Sequence, residues 1–276
     1  MAHVLVFDSG VGGLSVVAEL RALMPDVYIT YVADDEFRPY GEKTEAQLKS
    51  RLPALLKTLV MTTKPDAVVI ACNTASTTAL GEIRDVLDIP VIGVVPAIKP
   101  AAQMSKTKAI AVLGTPGTVK RAYVDDLIAD FASDCTITLV GSTGLVDMAE
   151  RKLAGEQVDM DALRDEITLI FAPSPESAQN KTKVDVVVLA CTHFPLLVAE
   201  LERAAPHKVK WIDSGAAIAR RTQLLLGRAN AVNRTEKSDG VNPQHNTALL
   251  VGPEVSSARR KAFAAFGFER VIALKP

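Results

Sequence analysis

Two cysteines stand in matched surroundings, Cys72 in Ala67-Val-Val-Ile-Ala-Cys-Asn-Thr-Ala75 and Cys191 in Val184-Asp-Val-Val-Val-Leu-Ala-Cys-Thr-His-Phe-Pro-Leu-Leu197. A thiol titrates at about pH 8.5, close enough to neutrality for nearby donors or positive charge to make it a working proton acceptor or donor. Two thiols on opposite sides of one carbon could act as base and acid, one removing a proton while the other returns one to the opposite face, and the outcome is inversion at that carbon. When a Cα proton leaves an amino acid, charge builds on a carboxylate that hydrogen bonds must hold. Ser9, Asn73, Thr74, Thr115, Thr118 and Thr192 are uncharged donors beside the cysteines and the turns, and they suit carboxylate ends. Asp8, Glu150 and His193 are the titratable candidates to assist thiol proton transfer. The competing explanation is plain: cysteine is among the most buried residue types and usually behaves as a small hydrophobe. On that view His193 is a satisfied loop histidine and the Thr and Asn residues are helix caps, and the residues alone leave both readings open. Cys135, which follows Ser133-Asp134 and repeats no context, is read as a small hydrophobe.

The elements around these residues come next. The β-branched run Val184 to Ala190 reads as a buried strand that delivers Cys191, Thr192 and His193 at its carboxyl end, where Pro195 interrupts regular pairing. Open α/β sheets put their ligands at such strand ends. The Cys72 segment repeats the plan, with a helical pattern from Thr44 to about Thr62 before it and a capped helix to about Leu87 after it. A first strand, His3 to Phe7, runs into Asp8-Ser-Gly-Val-Gly-Gly13 and a helix from about Val16. Such a glycine turn at a helix N-terminus suits an anion, but the glycines are too close together for the dinucleotide fingerprint. Pro39-Tyr40-Gly41 reads as a turn. The strand, glycine turn and helix restart at Ala109-Ile-Ala-Val-Leu-Gly-Thr-Pro-Gly-Thr118, with one helix expected from about Val119 to Phe131. Residues 173–182 read as an exposed loop and 227–246 as a polar, flexible segment. Strands alternating with helices imply parallel sheets covered on both faces, and the restart implies two similar α/β domains whose cysteine strand ends meet across a cleft.

Composition narrows the function classes. Among 276 residues, 31 basic and 32 acidic side chains leave a formal charge of −1, which gives no electrostatic footprint for nucleic acid or an anionic membrane. No apolar run approaches the roughly 20 residues of a membrane-spanning helix. The N-terminus becomes a strand at once, without a secretory signal pattern, so a cytoplasmic protein is expected. Three cysteines without CxxC spacing argue against a disulfide framework and against zinc, and no metal is expected.

With the segments placed, the chain resembles the glutamate racemases of the aspartate/glutamate racemase family. The resemblance is carried by Val6-Phe-Asp-Ser-Gly-Val-Gly-Gly-Leu-Ser15, Pro39-Tyr-Gly-Glu-Lys43, Ala71-Cys-Asn-Thr-Ala75, Gly93-Val-Val-Pro-Ala-Ile-Lys-Pro-Ala101, Leu113-Gly-Thr-Pro-Gly-Thr-Val119, Leu189-Ala-Cys-Thr-His-Phe-Pro-Leu-Leu197 and Ile212-Asp-Ser-Gly215. It implies two flavodoxin-like domains facing across a cleft, one of residues 1–96 with 209–276 on the Cys72 side and one of residues 97–208 on the Cys191 side. It implies cofactor-independent interconversion of L- and D-glutamate, supplying D-glutamate for peptidoglycan. Cys72 would be the base toward D-glutamate, assisted by Asp8, and Cys191 the base toward L-glutamate, assisted by His193 with Glu150. Asp8, Ser9, Tyr40, Gly41, Asn73, Thr74, Thr115, Thr118, Thr192 and His193 would line the substrate site. The stretch Val32 to Tyr40 and the segment 227–246 depart from the family's usual pattern. Glutamate is the expected partner, with neither nucleic acid nor membrane. A homodimer and a cell-wall nucleotide precursor as activator stay open, the latter because the N-terminal extension of some relatives so controlled is missing. The alternatives are an aspartate racemase of the same family and a two-domain protein that closes on a small anion without turning it over.

Overall fold

The apolar runs that end in the cysteines are strands buried along their whole length, as parallel strands covered on both faces must be. In the computed structural model, which describes residues 2–172, 183–232 and 246–275, the chain opens with four strands: β1 (His3–Asp8), β2 (Tyr28–Ala33), β3 (Ala67–Ile70) and β4 (Val91–Gly93). It continues through β5 (Ala109–Gly114), β6 (Thr136–Gly141), β7 (Val186–Ala190) and β8 (Lys210–Ile212), then ends with β9 (Thr247–Val251) and β10 (Arg270–Leu274). The chain divides into two compact units, Met1–Val94 with Gly215–Pro276, and Val95–Ser214. The first holds a six-stranded sheet in the order β10-β9-β2-β1-β3-β4, the second a four-stranded sheet in the order β6-β5-β7-β8. Every pairing is parallel.

Helices fill the crossovers. In the first unit these are α1 (Leu14–Leu23), α2 (Glu45–Thr63) and α3 (Asn73–Asp85), and in the second α4 (Ile98–Met104), α5 (Pro116–Val119), α6 (Ala122–Phe131), α7 (Gly144–Leu153), α8 (Met160–Phe171) and α9 (Val198–Ala204). The first unit is completed by α10 (Gly215–Val232) and α11 (Ser257–Ala265). α2 starts on a capping box, with Thr44 and Gln47 satisfying each other's backbone donors, and sends Leu48, Leu52, Leu56 and Leu59 into the core against β1 and β3. In the second unit Val112 and Leu113 of β5 serve cores on opposite faces of the sheet.

Sequence and structure part in four places. The single helix expected over Val119–Phe131 is two, because Thr115 caps a short turn begun by Pro116 and Arg121 then adopts extended backbone. α4 and α9 lie where no helix is expected. Pro100 fits inside α4 because the third position of a helix has no intrahelical N–H bond to lose. Residues 227–232, read from the sequence as the start of a flexible segment, instead continue α10 to Val232. Residues 173–182 and 233–245 lie outside the described residues. Among the described residues no helix is long and apolar enough to cross a membrane.

Candidate active site

Both sheets share one core order. β2-β1-β3-β4 and β6-β5-β7-β8 each step from the first strand to one side and then cross back to the other. Right-handed crossovers then leave on opposite faces, and a crevice opens at the carboxyl ends between the first and third strands. In the first unit that crevice is flanked by the turn after β1, which carries Asp8 and Ser9, and by Cys72, Asn73 and Thr74 after β3. In the second it is flanked by Thr115 and Thr118 after β5, and by Cys191, Thr192 and His193 after β7. The two cysteines hold equivalent places in equivalent sheets.

In the first unit, Ala71 N–H donates to the Phe7 carbonyl at 2.8 Å, which pins the residue before Cys72 beside the residue before Asp8. Asp8 is fully buried, and its Oδ1 accepts from Ser9 Oγ and from Gly10 N–H, both at 3.2 Å. The Cys72 thiol reaches Ser9 Oγ at 3.9 Å, so thiol, hydroxyl and carboxylate form one line. Cys72 is also the residue on which α3 begins, where the helix's first N–H groups and dipole favour negative charge on sulfur. Asn73 and Thr74 are buried in the first turn of that helix. The Asn73 carboxamide oxygen has no hydrogen-bond partner among the described residues. An unmet buried acceptor costs about 1–3 kcal/mol, a cost that a ligand's donor would remove.

In the second unit, Cys191 Sγ lies 3.8 Å from His193 Nδ1, and His193 Nε2 lies 3.3 Å from Glu150 Oε1. The imidazole is buried between thiol and carboxylate, an arrangement that orients it for proton exchange with the thiol. Lys152 fixes the spacing of Glu150 and His193: its Nζ donates to the Leu196 carbonyl at 2.7 Å and to Glu200 at 2.8 Å, tying α7 to the turn that follows His193. Across the crevice, the Thr115 and Thr118 hydroxyls lie 3.0 Å apart, and Thr118 is fully buried. Thr192 is buried as well.

Tyr40 and Gly41 sit in a short 3₁₀ turn, Tyr40–Glu42. The Tyr40 hydroxyl donates to Asp34 Oδ2 at 2.6 Å, and Arg51 grips the same carboxylate with two 2.7 Å bonds, Nε to Oδ2 and Nη2 to Oδ1. Asp34 is completely buried. Sequence reading finds Tyr40 but neither Asp34 nor Arg51, whose pairing joins a loop to the middle of α2. Burial pushes the Tyr40 phenol well above its usual range, and the charge and hydrogen bond of Asp34 and the nearby Cys72 push the same way against Arg51. A phenol whose folded pKa is raised contributes stability below its unfolded value of about 10, and that stability is lost as pH rises further. Tyr40→Phe is therefore expected to cost about 1 kcal/mol near neutrality, and the deficit should shrink above about pH 10, as urea unfolding across a pH series would show.

Gly13 gives a second expectation. A Cβ added there would stand 2.8 Å from the Tyr31 hydroxyl, 2.9 Å from Asp8 Oδ2 and 3.1 Å from the Ala71 Cβ. Its backbone is ordinary right-handed helical, so the restriction comes from these contacts. All three neighbours are buried, and Tyr31 is further held by its 2.8 Å bond to the Gly10 carbonyl. Gly13→Ala should cost about 1–3 kcal/mol of stability by overpacking and displace Asp8 from Ser9. The expected readout is a fall in kcat/KM of at least roughly tenfold, the scale of 1.4 kcal/mol.

Residues 14–222 match the family described as Asp/Glu/Hydantoin racemase. A glutamate racemase of Shewanella baltica (strain OS195) is 49% identical over 272 residues, spanning 97% of this chain and 96% of that one. The chain belongs to the Asp/Glu/Hydantoin racemase family. As a racemase it is an isomerase, and its two parallel α/β sheets are those expected from the sequence. A glutamate racemase of Shewanella sp. (strain ANA-3) is 45% identical over 265 residues, 96% of this chain and 94% of its own. Among solved structures, Escherichia coli glutamate racemase in complex with L-glutamate and the activator UDP-MurNAc-ala is 42% identical, with a TM-score of 0.86 over 99% of this racemase chain and 98% of that one.

Proposed function

We propose that this chain is a cytoplasmic glutamate racemase that inverts Cα by two-base proton transfer between Cys72 and Cys191, without a cofactor, and supplies D-glutamate for peptidoglycan. The observation that supports it most is the repeated placement: a thiol at the carboxyl end of the third strand of each sheet, each backed by a carboxylate, Asp8 through Ser9 and Glu150 through His193. Starting from D-glutamate, the Cys72 thiolate takes the Cα proton and the electron pair is held in the carboxylate as an enediolate. The Cys191 thiol then gives its proton to the opposite face of Cα and becomes the thiolate. Starting from L-glutamate, the roles exchange. Donors from Ser9, Thr74, Thr115, Thr118 and Thr192 hold the developing negative charge, the task that sets the barrier in such a step. The unmet Asn73 oxygen accepts from the substrate's ammonium group.

Relatives at 45% and 49% identity carry the name glutamate racemase, which favours glutamate over aspartate as substrate. The activator bound to the E. coli enzyme makes a nucleotide-linked cell-wall precursor the regulator to test here. The deciding experiment follows L-glutamate with purified protein in D₂O, without added cofactor, by circular dichroism and by proton NMR of Cα. Loss of optical activity together with deuterium at Cα is the expected result. A silent sample that remains silent with the nucleotide precursor present, or that turns over L-aspartate instead, overturns the glutamate assignment.

A further inference from the structure

On the α2 side of the first unit's sheet, Leu249 and Val251 of β9 join the core beneath α2, while the outer part of β9 and β10 is left open among the described residues. Side chains alternate along a strand, and the register aligns Thr30 of β2 with Thr247 of β9 and Thr247 with Arg270 of β10, so that Thr30, Thr247, Leu249, Arg270 and Ile272 share a face. α11 covers the other face, where Phe263 meets Tyr31 edge-on with ring centroids 5.1 Å apart. Opposite the open part stands one stripe of α2, Arg51, Leu55, Thr58 and Thr62, spaced three and four residues apart as a helix face requires. Between them lies a groove of about 1070 Å³, just above the usual range of about 300–1,000 Å³ for small-molecule sites.

The charge of this groove is one-sided. Its lining carries the cations Arg51, Arg270 and Lys275, with the imidazole of His3 and the phenol of Tyr28 beside them and no carboxylate, in a chain of 31 basic and 32 acidic side chains. Among the described residues neither Arg270 nor Lys275 pairs with an acid. Ile272, at 38% exposure, is the exposed large hydrophobic of the lining; Leu55, Leu59, Leu249, Val251 and Leu274 are partly or fully buried. Two copies docked here would oppose like charges, whereas a recessed apolar floor with a basic rim suits one small amphiphile.

We propose that this groove is a binding site for a small amphiphilic anion, its acidic head against Arg270 and Lys275 and its apolar body along Leu55, Leu249 and Ile272. Arg51 forms part of the inner wall and is also the fork that holds Asp34, which holds Tyr40. Occupancy is therefore felt at the Cys72 half-site, and this second part rests on the racemase reading.

The test is isothermal titration of decanoate into the full chain at low ionic strength. The expected result is saturable binding of one molecule per chain, weakened at least tenfold in Arg270→Glu/Lys275→Glu and in Ile272→Asp, and much weaker for decanol. Those substitutions fall on exposed side chains, and circular dichroism checks that the fold is kept. Absence of saturable binding, or binding indifferent to both variants, overturns the site. So does a dimer in sedimentation that Ile272→Asp dissociates, because the face then belongs to a second copy. The coupling predicts that saturating decanoate shifts KM for D-glutamate at least twofold, and an unchanged KM overturns that part. Decanoate binding by a protein inert toward glutamate would refute the racemase reading and leave the groove standing.

Discussion

Racemisation falls by about a thousandfold in Cys72→Ser and in Cys191→Ser, because serine is no base near neutral pH and a positioned acid or base contributes roughly 10²–10⁴. The two losses differ in direction. With Cys72 replaced, the proposed mechanism leaves Cys191 to remove the Cα proton of L-glutamate, so deuterium exchange from the L side should outlast exchange from the D side; with Cys191 replaced, the order should reverse. Proton NMR of each enantiomer in D₂O reads this directly. Cys135→Ser serves as the control: burial and then the hydrogen bond and charge of Asp134 push that thiol up, so it stays protonated, and it lies in neither crevice. Full activity in either Cys72→Ser or Cys191→Ser would end the two-base reading.

Arg51→Ala carries the largest expected cost to stability. Asp34 is fully buried and receives two of its hydrogen bonds from Arg51, whose own side chain remains 28% exposed. Removing the guanidinium strands a charge in the core, and breaking a buried pair from one side costs about 3–5 kcal/mol. Removing both partners is a different matter, since an apolar pair of similar volume is often neutral. Asp34→Leu/Arg51→Met should therefore unfold at a urea concentration close to that of the parent, while Arg51→Ala unfolds well below it. Activity should part company with stability in the double variant: Tyr40 loses its acceptor, so turnover drops even where the fold is restored. A double variant as unstable as Arg51→Ala would show that Asp34 owes its place to packing rather than charge.

How much of this could be read from the chain depends on distance along it. The strands that end in Cys72 and Cys191 are legible because buried parallel strands are unbroken apolar runs, as Val68-Val-Ile70 and Val186-Val-Val-Leu-Ala190 are. α4 and α9 are not, since each spans seven residues, too few for a helical period to show, and a proline stands inside one and just before the other. The end of α10 is hidden by Gly227 and Asn230, poor helix formers that a running helix carries along. Within the crevices, Ser9 beside Asp8 and His193 two residues from Cys191 are local and can be anticipated. Asp34 with Arg51, 17 residues apart, and Lys152 with Leu196, 44 apart, are set by how elements pack, and no spacing in the sequence announces them.

The first unit is drawn from both ends of the chain, and this has a consequence for synthesis. β2 borders β9, with Thr30 beside Thr247, a separation of 247 − 30 = 217 residues. At roughly 5–20 residues per second a ribosome needs about 10–40 s to make that stretch. Through that interval one edge of β2 offers unpaired N–H and C=O groups to any strand that passes. Val95–Ser214 is continuous in sequence and can close as it emerges, clasped by the 2.6 Å bond from Ser214 Oγ to the Val95 carbonyl. Nascent chains stopped before Thr247 are thus the aggregation-prone species of this protein, and they are the natural clients of chaperones during its production.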